Sequence, residues 1–239
     1  MNRGIIDLTS GNVGVTAGAS GVWGSWTTFV AANTFKVPLK GFFIQTSLAP
    51  GTLGAFQIGI GSTPNIIMPG DMFNANLGGI VRYYPLFVPA GVEIQIRAMS
   101  FNTTTGPFAF SLIGSATSRI LSAATMQFYG LDPSTETQGV VTSAANTWTL
   151  IGTLEALPTK FVRLQYLDET TGTNLITFGV GPSSSSVTAI KSNLITGYGF
   201  GLGYGYEILE EEMNLPAGQG LYAQVSSTNV SYLSAYVFY

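Results

Sequence analysis

Over Glu93–Ala98 the side chains alternate: Ile94, Ile96 and Ala98 are apolar, while Glu93, Gln95 and Arg97 are polar. Period two is the pattern of a strand with one buried face. The unit that contains it, Phe87–Asn102, opens on Pro89-Ala90-Gly91, and a second copy begins at Asn214 with Pro216-Ala217-Gly218. A shift of 127 places Ser100 on Ser227 and Asn102 on Asn229, and it sets Leu221, Ala223 and Val225 on the apolar positions. A turn feeding a strand is therefore used twice.

Short apolar or aromatic runs bounded by Gly or Pro follow the same order in both halves. Trp26–Val30, Gly41–Leu48 and Ala55–Ile60 read as strands. Trp148-Thr149 echoes Trp26-Thr27 at a shift of 122, Gly172-Thr173 echoes Gly51-Thr52 at 121, and Gly179-Val180-Gly181 echoes Gly59-Ile60-Gly61 at 120. The drift is of loop size. No segment longer than about ten residues carries a helical apolar period; Leu77–Phe87 is the place for a short helical turn or an irregular strand. The pattern predicts an all-β chain of two tandem jelly-roll-like β-sandwich domains. An N-terminal arm is expected over 1–21, the first sandwich over 22–118 and the second over 119–239. The arm is assigned on its Gly, Ser, Thr and Ala content, with only Ile5, Ile6 and Leu8 as a possible short strand.

Composition narrows the function. The 239 residues contain no Cys and no His, which removes thiolate metal sites, the usual zinc ligands, the usual general base and the Ser-His and Cys-His nucleophiles. Neither catalytic, cofactor-binding nor metal-ligating residues are expected. Charged residues are 9% of the chain, against about 25% in an ordinary soluble domain, so much of the surface is expected to be hidden in an assembly. A net charge of −3 gives no footprint for nucleic acid. No run approaches the ~20 apolar residues of a membrane helix, and Met1–Leu8, with Asp7, does not read as a signal peptide.

The carboxylates cluster at Asp168-Glu169 and at Glu207 with Glu210-Glu211-Glu212, and the other half has no acids at the aligned positions. They read as solvated loops or inter-subunit polar contacts, with a divalent cation site as the alternative. Gly59-Ile60-Gly61 and Gly179-Val180-Gly181 lack the Gly-Lys-Ser/Thr of a phosphate loop and read as strand-end glycines. Asn102-Thr103-Thr104 and Asn229-Val230-Ser231 match the glycosylation sequon and read as turns. Trp26 and Trp148, at equivalent positions, are expected in the shared core, with a sugar-stacking platform including Trp23 as the alternative.

The run Gly197–Tyr206 alternates Gly with large apolar residues, which as a strand has one bare face and one aromatic face. Tyr198, Phe200, Gly201, Leu202, Gly203, Tyr204 and Tyr206 are the candidate interface, because a glycine face admits another backbone and aromatics offer large contact area. A glycan site and packing within the domain remain alternatives.

Ile58-Gly59-Ile60-Gly61, followed by Val88-Pro89-Ala90-Gly91-Val92-Glu93-Ile94-Gln95-Ile96-Arg97, resembles a strand-and-turn pattern of tailed-bacteriophage virion structural proteins. In the second copy Gln219-Gly220 replaces Val92-Glu93, and Gln224 replaces Arg97. The resemblance implies a head decoration or cement protein, made in the host cytoplasm and located in the virion. Its expected partners are its own copies, with a trimer the leading arrangement, and other capsid proteins. A small double jelly-roll major capsid protein, and a receptor- or glycan-binding module of a fibre or spike, are the competing readings.

Overall fold

The computed structural model describes all of the chain except residues 1–3, 10, 19–20, 48–52, 75–80, 102–106, 118–121, 133–134, 136–138, 143, 169–172, 198–204 and 228–230. The described residues are all-β, in two compact units. The first consists essentially of Met1–Gln127 and the second of Thr137–Val237 with Phe128–Asp132 and Tyr239. Ala123 still belongs to the first unit, bridged to Leu86 by backbone hydrogen bonds with Pro85 and Phe87.

Among the described residues nine strands build the first unit: β1 (Ile5–Asp7), β2 (Val13–Thr16), β3 (Thr27–Val30), β4 (Gly41–Ser47), β5 (Leu53–Ile60), β6 (Asn65–Asn74), β7 (Val81–Tyr84), β8 (Ile94–Ser100) and β9 (Pro107–Ser115). Nine more build the second: β10 (Met126–Tyr129), β11 (Val140–Thr142), β12 (Thr149–Thr153), β13 (Phe161–Asp168), β14 (Thr173–Gly181), β15 (Thr188–Gly197), β16 (Gly205–Glu211), β17 (Gly220–Val225) and β18 (Ser231–Phe238). One sheet of the first unit runs β1-β9-β4-β7 with β2 also on β9, and the other runs β3-β8-β5-β6. The second unit repeats both orders nine strands later, as β10-β18-β13-β16 with β11 on β18, and β12-β17-β14-β15. Two antiparallel sheets with chain neighbours on opposite layers make a jelly roll, here twice in tandem.

The repeat holds at the level of register. Ile96 faces Thr27 and Ile58 across its neighbouring strands, as Ala223 faces Thr149 and Phe178. The irregularities are duplicated too: the bulge between Thr28 and Val30 returns between Leu150 and Gly152, and the shifts around Ile58 return around Phe178. Gly91 and Gly218 both take a left-handed backbone, at φ +73° and +72°, which a Pro-Ala-Gly turn can adopt without Cβ strain. Ile94, Ile96 and Ala98 are buried, and Leu221, Ala223 and Val225 lie in the second core beside Ile176, Phe178, Leu233 and Val237.

In the first core Phe56 of one sheet meets Phe110 and Tyr84 of the other at ring separations of 5.3 and 6.3 Å. The layers are also joined by a buried polar clamp. Asp71 on β6 accepts hydrogen bonds from Arg82 (2.7 Å) and from the Tyr84 hydroxyl, both on β7. Register places Leu194, Leu209 and Glu211 at the corresponding positions of the second unit, so the clamp is not duplicated.

Residues 5–7, 13–16 and 81–88 resolve into short strands and bridges. The segment assigned as an arm contributes β1 and β2, because β9 offers its backbone to Ile5–Asp7 at one end and Val13–Thr16 at the other; ladder bonds compensate for weak side-chain patterning. Of the Leu77–Phe87 stretch, 77–80 lie outside the described residues, and 81–87 provide β7 and a bridge at Leu86, with another just beyond at Val88, which is the irregular strand of the two options.

Candidate functional site

The four-stranded sheets present an outer face as well as a core face, and on it sit the tryptophans. Gly59 and Gly179 point outward, between inward Ile58 and Ile60 in one unit and Phe178 and Val180 in the other. A Cβ on Gly59 would stand 3.2 Å from the Trp26 ring, and one on Gly179 would stand 2.9 Å from the Trp148 ring. Each glycine is a seat for an indole. The tryptophans are thus shared between the copies, as equivalent spacing implied, but they cover the outside of the sheet and are not in the core. The glycines are needed for a close approach of side chain to backbone.

In the first unit this face gathers further groups. Arg97 of β8 lies over Trp26, with its guanidinium carbon 4.5 Å from the ring centre, and 5.4 Å from that of Trp23. Its Nε donates to Oε1 of Gln57 on β5 at 2.7 Å, and the Gln57 amide donates to the Pro69 carbonyl of β6 at 2.5 Å. Gln57 is buried, so its position is fixed from below. Among the described residues, the partners of Arg97 are this amide and the two indoles. Burial lowers the guanidinium pKa from its usual value, yet it stays protonated at neutral pH. Alongside, Gln95 donates to the carbonyls of Gly61 and Ser62 at 2.9 and 3.2 Å, and Thr28 donates to Glu93 at 2.8 Å.

Of the residues singled out for an interface, Tyr198, Phe200, Gly201, Leu202, Gly203 and Tyr204 lie outside the described residues. Tyr206 falls at the start of β16, an edge strand, opposite Leu167. The acids are drawn onto one ladder: Asp168 faces Gly205, and Glu207, Glu210 and Glu211 of β16 face Tyr166, Arg163 and Val162. Glu212 is exposed just beyond. Among the described residues no group of three or more Asp or Glu is placed to hold a metal ion, and both sequon asparagines lie outside them. The Arg97–Gln57 pair was not singled out in the sequence, although the parity of β8 already places Arg97 on the outer face.

The second unit carries a different polar knot. The hydroxyls of Tyr129 and Tyr239 are 2.6 Å apart, and the Glu155 backbone N–H donates to both, at 3.2 and 3.1 Å. Burial is the main cause that raises both phenol pKa values.

Fold and face together define a tandem jelly-roll β-sandwich protein with one elaborated sheet surface. No family model and no curated protein matches the chain. Among solved structures it is similar to the N-terminal CBM22-1–CBM22-2 tandem domain of Paenibacillus barcinonensis Xyn10C, at 8% identity and a TM-score of 0.25, covering 100% of this chain and 94% of that one. It is also similar to the PBSX exported protein XepA, at 10% identity and a TM-score of 0.26, covering 98% and 85%. Neither likeness assigns a family or a ligand to this chain.

Proposed function

We propose that this protein is a non-enzymatic virion component, a decoration or cement protein that assembles as a homo-oligomer on the head of a tailed phage. The observation that carries this reading is the tandem jelly roll, repeated strand for strand, in a chain that bears roughly one charge per 500 Å² of its 10637 Å² accessible surface. Among the described residues three of those charges, Asp71, Arg82 and Arg163, are buried, so the outside is poorer still in charge. Such a surface is weakly defended against association. The absence of His and Cys from the sequence leaves the fold suited to contact and not to turnover.

The test is add-back to heads assembled without this protein. Stoichiometric rebinding to preformed heads, followed by greater resistance of the particles to heat, is expected. Failure of heads to form in its absence would make it the major capsid protein instead, and rebinding confined to tails or fibres would overturn the head assignment.

A further inference from the structure

The duplication supplies an internal control for the outer face of the first unit. What the fold requires there is an indole seated on a strand glycine, and both units have it: Trp26 on Gly59, Trp148 on Gly179. What the fold does not require can be read from the register. Arg97 corresponds to Gln224, Gln57 to Thr177, Glu93 to Gly220 and Gln95 to Tyr222. The link before β3, 17–26, is also longer than the link before β12, 143–148, and Trp23 lies in it. The second unit folds around its tryptophan without the cation, its amide support or a second indole.

These additions have the form of a binding device. Gln57 is anchored to Pro69 and holds the Arg97 Nε, so the Nη side of the fork is oriented without a protein acceptor among the described residues. A guanidinium fixed in this way matches a carboxylate through two parallel hydrogen bonds. Two half-buried indoles flank it, and an aromatic face takes the C–H face of a saturated ring by apolar contact. An acidic peptide side chain would use the fork and leave the indoles uncovered. A ring that carries its own carboxylate uses both.

We propose that Arg97, Gln57, Trp23 and Trp26 form a binding site for a sugar acid, a pyranose ring bearing a carboxylate, as in an anionic surface glycan. The carboxylate takes the Arg97 fork and the ring lies against an indole. The site is independent of head attachment, so its failure and that of the decoration role are separate results.

The experiment is a tryptophan-fluorescence titration of the full chain with tetragalacturonate, with sialyllactose against lactose as its neutral counterpart, and with acetate. At least one acidic sugar should give a saturable change, with lactose silent and acetate silent at equal concentration. R97Q, which installs the residue of the second unit, should weaken that response about tenfold or more while leaving the melting temperature within a degree or two. R97K, which keeps charge but loses the fork, should fall between. No response to either acidic sugar, an equal response to lactose or to acetate, or full binding by a folded R97Q would each overturn the assignment.

Discussion

The outer faces of the two four-stranded sheets are the same surface built twice, and they have diverged in chemistry while their backbones have not. In the first unit the face carries Thr28, Glu93, Gln95 and Arg97, each bonded to a neighbour. In the second the equivalent positions are Leu150, Gly220, Tyr222 and Gln224, and Leu150 is 47% exposed. Leu175 is 36% exposed where the matching Ala55 is covered completely. Bulges, strand order and the glycine seats are held in common, so these belong to the jelly roll. The side chains that differ at matched register are free of the fold's demands and are where function can reside.

The interior shows the same contrast. The Asp71–Arg82–Tyr84 clamp of the first unit is an ionic tie between sheets, and Leu194 and Leu209 take the matching positions of its acid and base in the second. Removing one member of a buried pair leaves a stranded charge, so Asp71→Leu should cost the first unit about 3–5 kcal/mol. The double change Asp71→Leu with Arg82→Leu, which copies the second unit, should cost clearly less. Urea denaturation followed by a probe in each unit tests this; a double variant as unstable as the single one would break the comparison.

The glycine seats come next in size. A Cβ on Gly179 would meet Val187 at 2.5 Å, the Thr188 carbonyl at 2.9 Å and the Trp148 ring at 2.9 Å, whereas on Gly59 it would meet Pro64 at 2.7 Å and Trp26 at 3.2 Å. Gly179→Ala should destabilise by about 1–3 kcal/mol, and more than Gly59→Ala, because a backbone oxygen cannot move aside. Equal midpoints for the two variants would show that the indoles are not held against the strands.

The turns should respond alike. Gly91→Ala and Gly218→Ala each force a Cβ into a left-handed backbone at a cost of about 1–2 kcal/mol. Gly91→Ala should be slightly worse, since its Cβ would sit 3.2 Å from Asn33 Oδ1, whereas that of Gly218 meets nothing within 4 Å.

The smallest effect is one of pH, and it comes from the tyrosine pair of the second unit. Burial raises the Tyr129 and Tyr239 phenol pKa values above the usual 10.0. A raised folded pKa gives stability that is full below the unfolded value and lost as pH rises above it. The second unit should therefore lose stability progressively above pH 10, and Tyr129→Phe should flatten that loss. Thermal melts between pH 8 and 11 provide the check.

Much of this was legible in the sequence because it is periodic. The shifts of 122, 120 and 127 read from Trp26, Gly59 and Pro89 are the register of β3 on β12, β5 on β14 and β8 on β17. The parity of Ile94, Ile96 and Ala98 named the core face correctly. β1 was legible only as a possible short strand at Ile5 and Ile6, and β2 not at all, since their partner is β9, about a hundred residues away, and Val13–Thr16 lies in a stretch rich in Gly, Ser, Thr and Ala. The clamp was not legible for a related reason: Asp71 and Arg82 are neighbours only once β6 and β7 enter opposite sheets. For the tryptophans, equivalent positions in the two copies were read as a shared core, whereas the parity of the glycines beneath them points outward, and packing against the backbone decided it.

The account is tested most directly by an electron-microscopy map of a tailed-phage particle assembled with this protein, the setting that the proposed role requires. It predicts pairs of jelly rolls at regular positions on the outside of a complete head shell, with β3-β8-β5-β6 of the first unit, and Arg97 on it, open to solvent. A shell built from the jelly rolls themselves, or their density only at the tail, would contradict it.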